Sequence, residues 1–184
     1  MNGWLVAIAV VSAVNPARLA PALPRGDRPA GERALVSASG ATAAAAVLAL
    51  LVVLGEPVAD WLDVSAPTFA VGAGLVLALA AIGQAVRAPP TEPALPGRRA
   101  ALVPVAVPFV LRPEVGLLCL AAGAGGASSG AIAGLAAAVV GVALAGRLEI
   151  DGTTGRITRW AARGLEVAAL VSGISLTVDG VLAV

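Results

Sequence analysis

The chain has 184 residues, 59% of them hydrophobic and 12% charged, with a mean hydropathy of +0.94; soluble domains carry about 25% charged residues. A soluble core of this size cannot bury so much apolar surface, whereas lipid can surround it, so the composition places the chain in a bilayer. With a formal net charge of +1, no His, no Tyr, a single cysteine (Cys119) and only arginine among its twelve basic residues, the chain lacks the means for disulfides, His/Cys metal sites, Ser/His/Asp triads and Ser/Lys dyads. No enzymatic activity and no cofactor are expected, and no basic tract or aromatic platform points to nucleic acid.

Residues 3–23 form the first apolar run long enough to cross about 30 Å of hydrocarbon, interrupted by Asn15-Pro16. Residues 1–14 contain no basic residue and the arginines follow the run, so it is read as a retained span and not a signal peptide. An Arg-bearing connection, 25–33, leads to a small-residue-rich span at 35–54. Residues 56–67, with Glu56, Asp60 and Asp63, are expected to be a loop, and 68–86 a third span. After the connection 87–99 comes a fourth span, 101–122, containing Pro104, Pro108 and Arg112-Pro113. A Gly/Ser turn at 123–128 precedes the fifth span at 129–145, and the connection 147–159 precedes the sixth at 160–181.

Arginine sets the orientation. Arg18, Arg25, Arg28 and Arg33, then Arg87, Arg98 and Arg99, then Arg147, Arg156, Arg159 and Arg163 all lie in or beside the first, third and fifth connections. By the positive-inside rule these are cytoplasmic, so both termini face outward and the acidic second connection is external, in a plasma (inner) membrane. Arg112 alone departs from this pattern. It stands about 16 Å into the fourth span at about 1.5 Å per residue, too deep to snorkel with ease.

Six spans with both ends outside make the two halves run in opposite directions. The expected fold is therefore all-α, with six transmembrane helices arranged as two inverted three-helix repeats whose first and fourth helices are broken. It forms one integral membrane domain over 1–184, with repeat one at about 1–88, a cytoplasmic linker at 87–100 and repeat two at about 101–184. The Gly and Ala residues of these spans are assigned to close helix packing.

A proline inside a helix removes a backbone hydrogen bond, and an Asn before it is suited to cap the helix that restarts there. Within a membrane such a break requires protein or water to satisfy the freed groups, which implies a polar cavity. Half-helices starting at Pro16 and near Pro113 would turn positive ends toward it, which suits an anion. Arg112 adds a forked donor for a carboxylate, and Glu114 is placed to pair with it, to bind an ammonium or to carry a proton. Without histidine, proton coupling falls to Glu114, Glu166 or Asp179, with Glu114 first by depth. Blander readings stand beside these. Asn15-Pro16 can be a plain kink, Arg112 and Glu114 a structural pair or part of a re-entrant hairpin, Asp179 a solvated residue near the outer end, and Glu166 the answer to Arg163. Ser12, Ser37, Ser39, Thr42, Gln84, Ser172, Ser175 and Thr177 are expected to bond their own helix backbone more often than a ligand.

Taken in order, these landmarks resemble the MarC family of six-span membrane proteins, which includes members described as small neutral amino-acid transporters and is related in architecture to LysE-type exporters. The resemblance runs through Val14-Asn15-Pro16 with residues 19–24, Leu54-Gly55-Glu56, and residues 66–77 with Gly72 and Gly74. It continues through Val103-Pro104-Val105-Ala106-Val107-Pro108, Arg156-Ile157-Thr158-Arg159 and Val178-Asp179-Gly180. It implies the six-span fold and carries over Asn15, Pro16, Pro108 and Pro113 as site positions. Where the family has Gly-Pro-Gly, this chain has Arg112-Pro113-Glu114, which keeps the break and changes the character of what it lines.

The expected function is secondary transport of a small zwitterionic or anionic metabolite, such as an amino acid, by alternating access. Asn15, Pro16, Pro108, Arg112, Pro113 and Glu114 would form the substrate site. The alternative is a structural or accessory subunit that packs against larger membrane proteins through its Gly/Ala faces. The expected partners are membrane lipid and a small-molecule substrate, and a homo-oligomer or larger membrane complex stays open.

Overall fold

The computed structural model describes residues 1–22, 29–86, 102–148 and 152–184; the side chains at 22, 102–104 and 108 are outside that description, as is the expected linker 87–100. Among the described residues every regular element is helical. Helix α1 spans Gly3–Val14, and its first turn is capped by the Asn2 side chain, which accepts from the Trp4 N–H at 3.4 Å. It stops at Asn15 because a residue before proline avoids the right-handed helical region, and Asn is among the few that tolerate the left-handed one. Asn15 adopts φ 48°, ψ 68°. A four-residue helix α2, Pro16–Leu19, follows and tightens into a 3-10 turn, Ala20–Ala22.

Helix α3, Ala30–Trp61, is 32 residues long and runs through Glu56, Pro57 and Asp60, correcting the loop expected from residue 56. One interior proline removes one ladder bond, and the exposed acidic side chains oppose no packing, so nothing forces the helix to end there. The turn comes only at residues 62–65, with Asp63 at φ 54°. Helix α4, Ala66–Val86, starts where the Ser65 hydroxyl accepts from the Thr68 N–H at 3.4 Å.

The segment expected as the fourth span departs furthest from a regular helix. Leu102–Val110 is a π-helical segment. Pro104 and Pro108 have no N–H to give, and the chain shifts to wider turns, as in the 2.8 Å bond from Leu111 N–H to the Ala106 carbonyl. The chain is extended at Arg112 (φ −106°, ψ 146°) and restarts as α5, Pro113–Ala124. Helix α6 is Ser128–Arg147 and α7 is Gly152–Leu182. Helix α7 therefore begins before residue 160, where the apolar run starts. Helical bonding needs no apolar side chains, and Thr158 back-bonds to the Thr154 carbonyl at 3.0 Å.

Four of these helices, α3, α4, α6 and α7, are long and apolar enough to cross a membrane, and only 28% to 44% of their apolar windows is buried within the chain. Leu35, Val53, Leu79 and Val167 point outward at 61% to 72% exposure. That is costly in water and natural in lipid. The two interrupted apolar segments lie inside: Val6, Val10, Val14, Phe109, Val115, Leu118 and Cys119 are almost wholly buried. Helix α4 packs chiefly on α7, α3 on α6 and α5, and α1 on α6 and α7.

Glycine permits these crossings. A Cβ at Gly74 would stand 2.5 Å from the Gly173 carbonyl oxygen, and one at Gly173 would stand 2.7 Å from that of Gly74, so α4 and α7 meet backbone to backbone. Gly55 and Gly123 stand in the same relation on α3 and α5, where a Cβ at Gly55 would lie 2.8 Å from the Gly123 Cα.

Candidate functional site

The site is built on the two helix breaks. Asn15 is fully buried, and its backbone N–H donates to the Val11 carbonyl at 3.0 Å. The expected capping of the restarted helix by its side chain does not occur. Instead Nδ2 donates across to the Ala162 carbonyl on α7 at 3.0 Å, and Oδ1 has no hydrogen-bond partner. Pro16 occupies the first position of α2, whose four residues are too few to build the positive helix end expected there.

One turn beyond the break, Arg18 is 6% exposed, and its guanidinium donates to the Gln84 carbonyl at 2.6 Å and to Glu166 Oε1 at 2.7 Å. Asn15 and Arg18 thus dock on one face of α7, at Ala162 and, one turn further on, at Glu166. Glu166 does not answer Arg163, whose guanidinium lies 6.0 Å from the centre of the Trp160 ring. It answers an arginine 148 positions away.

At the second break Arg112 precedes α5, Pro113 takes the first helical position and Glu114 lies in the first turn, where a carboxylate favours the helix dipole. Arg112 stands 3.8 Å from Glu114 Oε1 and 5.5 Å over the Phe109 ring. The Gln84 amide donates to the same Glu114 oxygen at 3.4 Å. Gln84 therefore joins the two breaks: its carbonyl receives Arg18 and its side chain reaches Glu114. Two arginines, Arg18 and Arg112, and two carboxylates, Glu166 and Glu114, thus lie in one network.

Of the residues expected at the site, the structure gathers Arg112, Pro113, Glu114 and Glu166 around one network with Arg18 and Gln84, and places Asn15-Pro16 at its edge. The Pro108 side chain lies outside the described residues. Asp179 is exposed on α7, about 20 Å along the helix from Glu166, and the network does not reach it. Ser39 and Thr177 bond their own helices, to Val36 at 2.9 Å and Gly173 at 2.8 Å, but Gln84 does not. Sequence reasoning missed Arg18 and Gln84. A usable signal was present, because Arg18 and Glu166 are opposite charges set inside two apolar runs. In chemical terms, the corner at Arg18 ties α2 to α4 and α7, and at the amino end of α5 Glu114 meets Gln84 at 3.4 Å and Arg112 at 3.8 Å. Set against family models, curated proteins and solved structures, the chain matches none of them.

Proposed function

We propose that the chain is a secondary transporter of a small zwitterionic or anionic metabolite, such as an amino acid, working by alternating access in a plasma (inner) membrane with both termini outside. The reading rests on one observation above all: two broken helices meet through Gln84 in a buried network of arginines and carboxylates. Irregular backbone at membrane depth is a recurrent feature of transporter binding sites. The amino end of α5 with Arg112 is the anion-binding part, and a substrate carboxylate would take the place that Glu114 Oε1 holds at 3.8 Å. Glu114, so displaced, is the first candidate to carry a proton, with Glu166 next.

A six-span arrangement of two inverted repeats, about 1–88 and 101–184, is part of this proposal, as is membership of the MarC family. Helix pairing supports the repeat. The first broken span packs on α6 and α7 and the second on α3 and α4, as exchange of the halves requires. The reciprocal approach of Gly74 and Gly173 is the contact expected where such an axis passes. A second reading, an accessory subunit, is favoured by the pairing of both arginines with carboxylates inside the chain.

Flux in proteoliposomes decides between them. Arg112→Ala and Glu114→Gln are expected to lower uptake or efflux of amino acids and related acids at least tenfold, the effect of losing a contact of about 1.4 kcal/mol. Transport by both variants at the wild-type rate would remove the site from consideration. Co-purification with stoichiometric partners, and no flux from the isolated chain, would favour the accessory reading.

A further inference from the structure

We infer that the break at Asn15 is a binding site for a small positive group, either an alkali cation or the primary ammonium of a cargo molecule, held by Asn15 Oδ1 and the carbonyl oxygens that end α1. The amide orientation is fixed by its partner. A carbonyl only accepts, so the atom 3.0 Å from the Ala162 oxygen must be Nδ2, and the other fork of the amide is the oxygen. That oxygen is buried and without a partner, in a residue that is 0% exposed. A buried acceptor left unsatisfied is uncommon in a folded protein and calls for an occupant.

The backbone at the break adds oxygens of the same kind. Pro16 has no N–H to return to the carbonyl of Ser12, its partner four residues back, and the left-handed turn at Asn15 leads the chain out of the helix. The closing carbonyls of α1 thus end in a buried region, since Ser12, Ala13 and Val14 are at most 2% exposed. They form the negative end of a twelve-residue helix. Acceptor oxygens at a negative helix end repel an anion and attract a cation, the donor set that discontinuous helices offer to coupling ions and ammonium groups. Arg18 lies one turn away, but its charge is balanced by Glu166 at 2.7 Å. The break at Asn15 therefore differs from the one at Arg112, where a twelve-residue helix begins beside a guanidinium.

The test uses the whole chain purified in detergent. Thermal unfolding is followed at constant ionic strength while choline chloride is exchanged for sodium, potassium or methylammonium chloride. At least one of the three is expected to raise the melting temperature saturably; sodium or potassium identifies an alkali ion, methylammonium a cargo ammonium. Asn15→Gly tolerates the left-handed conformation and removes Oδ1, so the saturable rise should vanish. Pro16→Ala restores an N–H for the Ser12 carbonyl and keeps Asn15, so the half-saturating concentration should rise on the order of tenfold. The inference is overturned if none of the three cations gives a saturable rise in the wild type, which would leave a buried water as the partner of Oδ1. It is also overturned if either folded variant keeps the wild-type midpoint. The readout is binding to solubilised protein, so it can fail while flux persists, and flux can fail while it persists.

Discussion

The Arg18–Glu166 pair offers the strictest measure of what holds the broken helices in place. Its atoms are 2.7 Å apart, with side chains 6% and 13% exposed, so neither charge has much water to fall back on. Removing the carboxylate with Glu166→Leu takes away the ion pair that Arg18 makes at 2.7 Å while its bond to the Gln84 carbonyl at 2.6 Å stays. Breaking a buried pair from one side costs about 3–5 kcal/mol. Replacing both partners, Arg18→Met with Glu166→Leu, removes the desolvation cost together with the attraction and should cost less than about 1 kcal/mol. At about 2–4 °C per kcal/mol for a chain of this size, the single variant should melt roughly 6–20 °C lower in detergent and the double variant within roughly 4 °C of wild type. A single variant that melts with the wild type, or a double variant that loses the sum of the two singles, would refute the claim that this pair is buried and coupled.

Two further predictions follow from packing and orientation. Gly74→Ala places a Cβ against the Gly173 carbonyl and should lower the melting temperature by several degrees, whereas Gly72→Ala, with nothing within 4 Å, should be neutral or slightly stabilising, a contrast read in one thermal scan. Cys119 is fully buried and the sole cysteine, so wild-type protein in intact cells should not react with a membrane-impermeant maleimide. Asp60→Cys and Val184→Cys should then label from outside and Arg156→Cys only after the membrane is opened. Labelling of Arg156→Cys in intact cells would reverse the proposed orientation.

The breaks themselves were legible because their cause is local. Pro16 and Pro113 lack an N–H wherever they stand, and a residue before proline is biased out of the right-handed helical region, a bias that Asn15 and Arg112 follow and Glu56 before Pro57 does not. Element ends were read less well. Helix α3 passes Pro57 and α7 starts before residue 160 because apolar runs report preference for lipid, whereas hydrogen bonding decides where a helix ends.

Sequence alone determined that the chain carries helices long and apolar enough to cross a membrane and the places where two apolar runs break, which follow from hydropathy and from proline chemistry within a few residues. Only the tertiary structure decided the partners. Glu166 lies three positions from Arg163 yet pairs with Arg18, and Gln84 turns to Glu114, 30 positions away. Such choices depend on which helices cross closely at glycine, a long-range property that no local pattern encodes. The positive helix end expected at Pro16 was removed in the same way, because α2 runs only four residues before it tightens into the 3-10 turn.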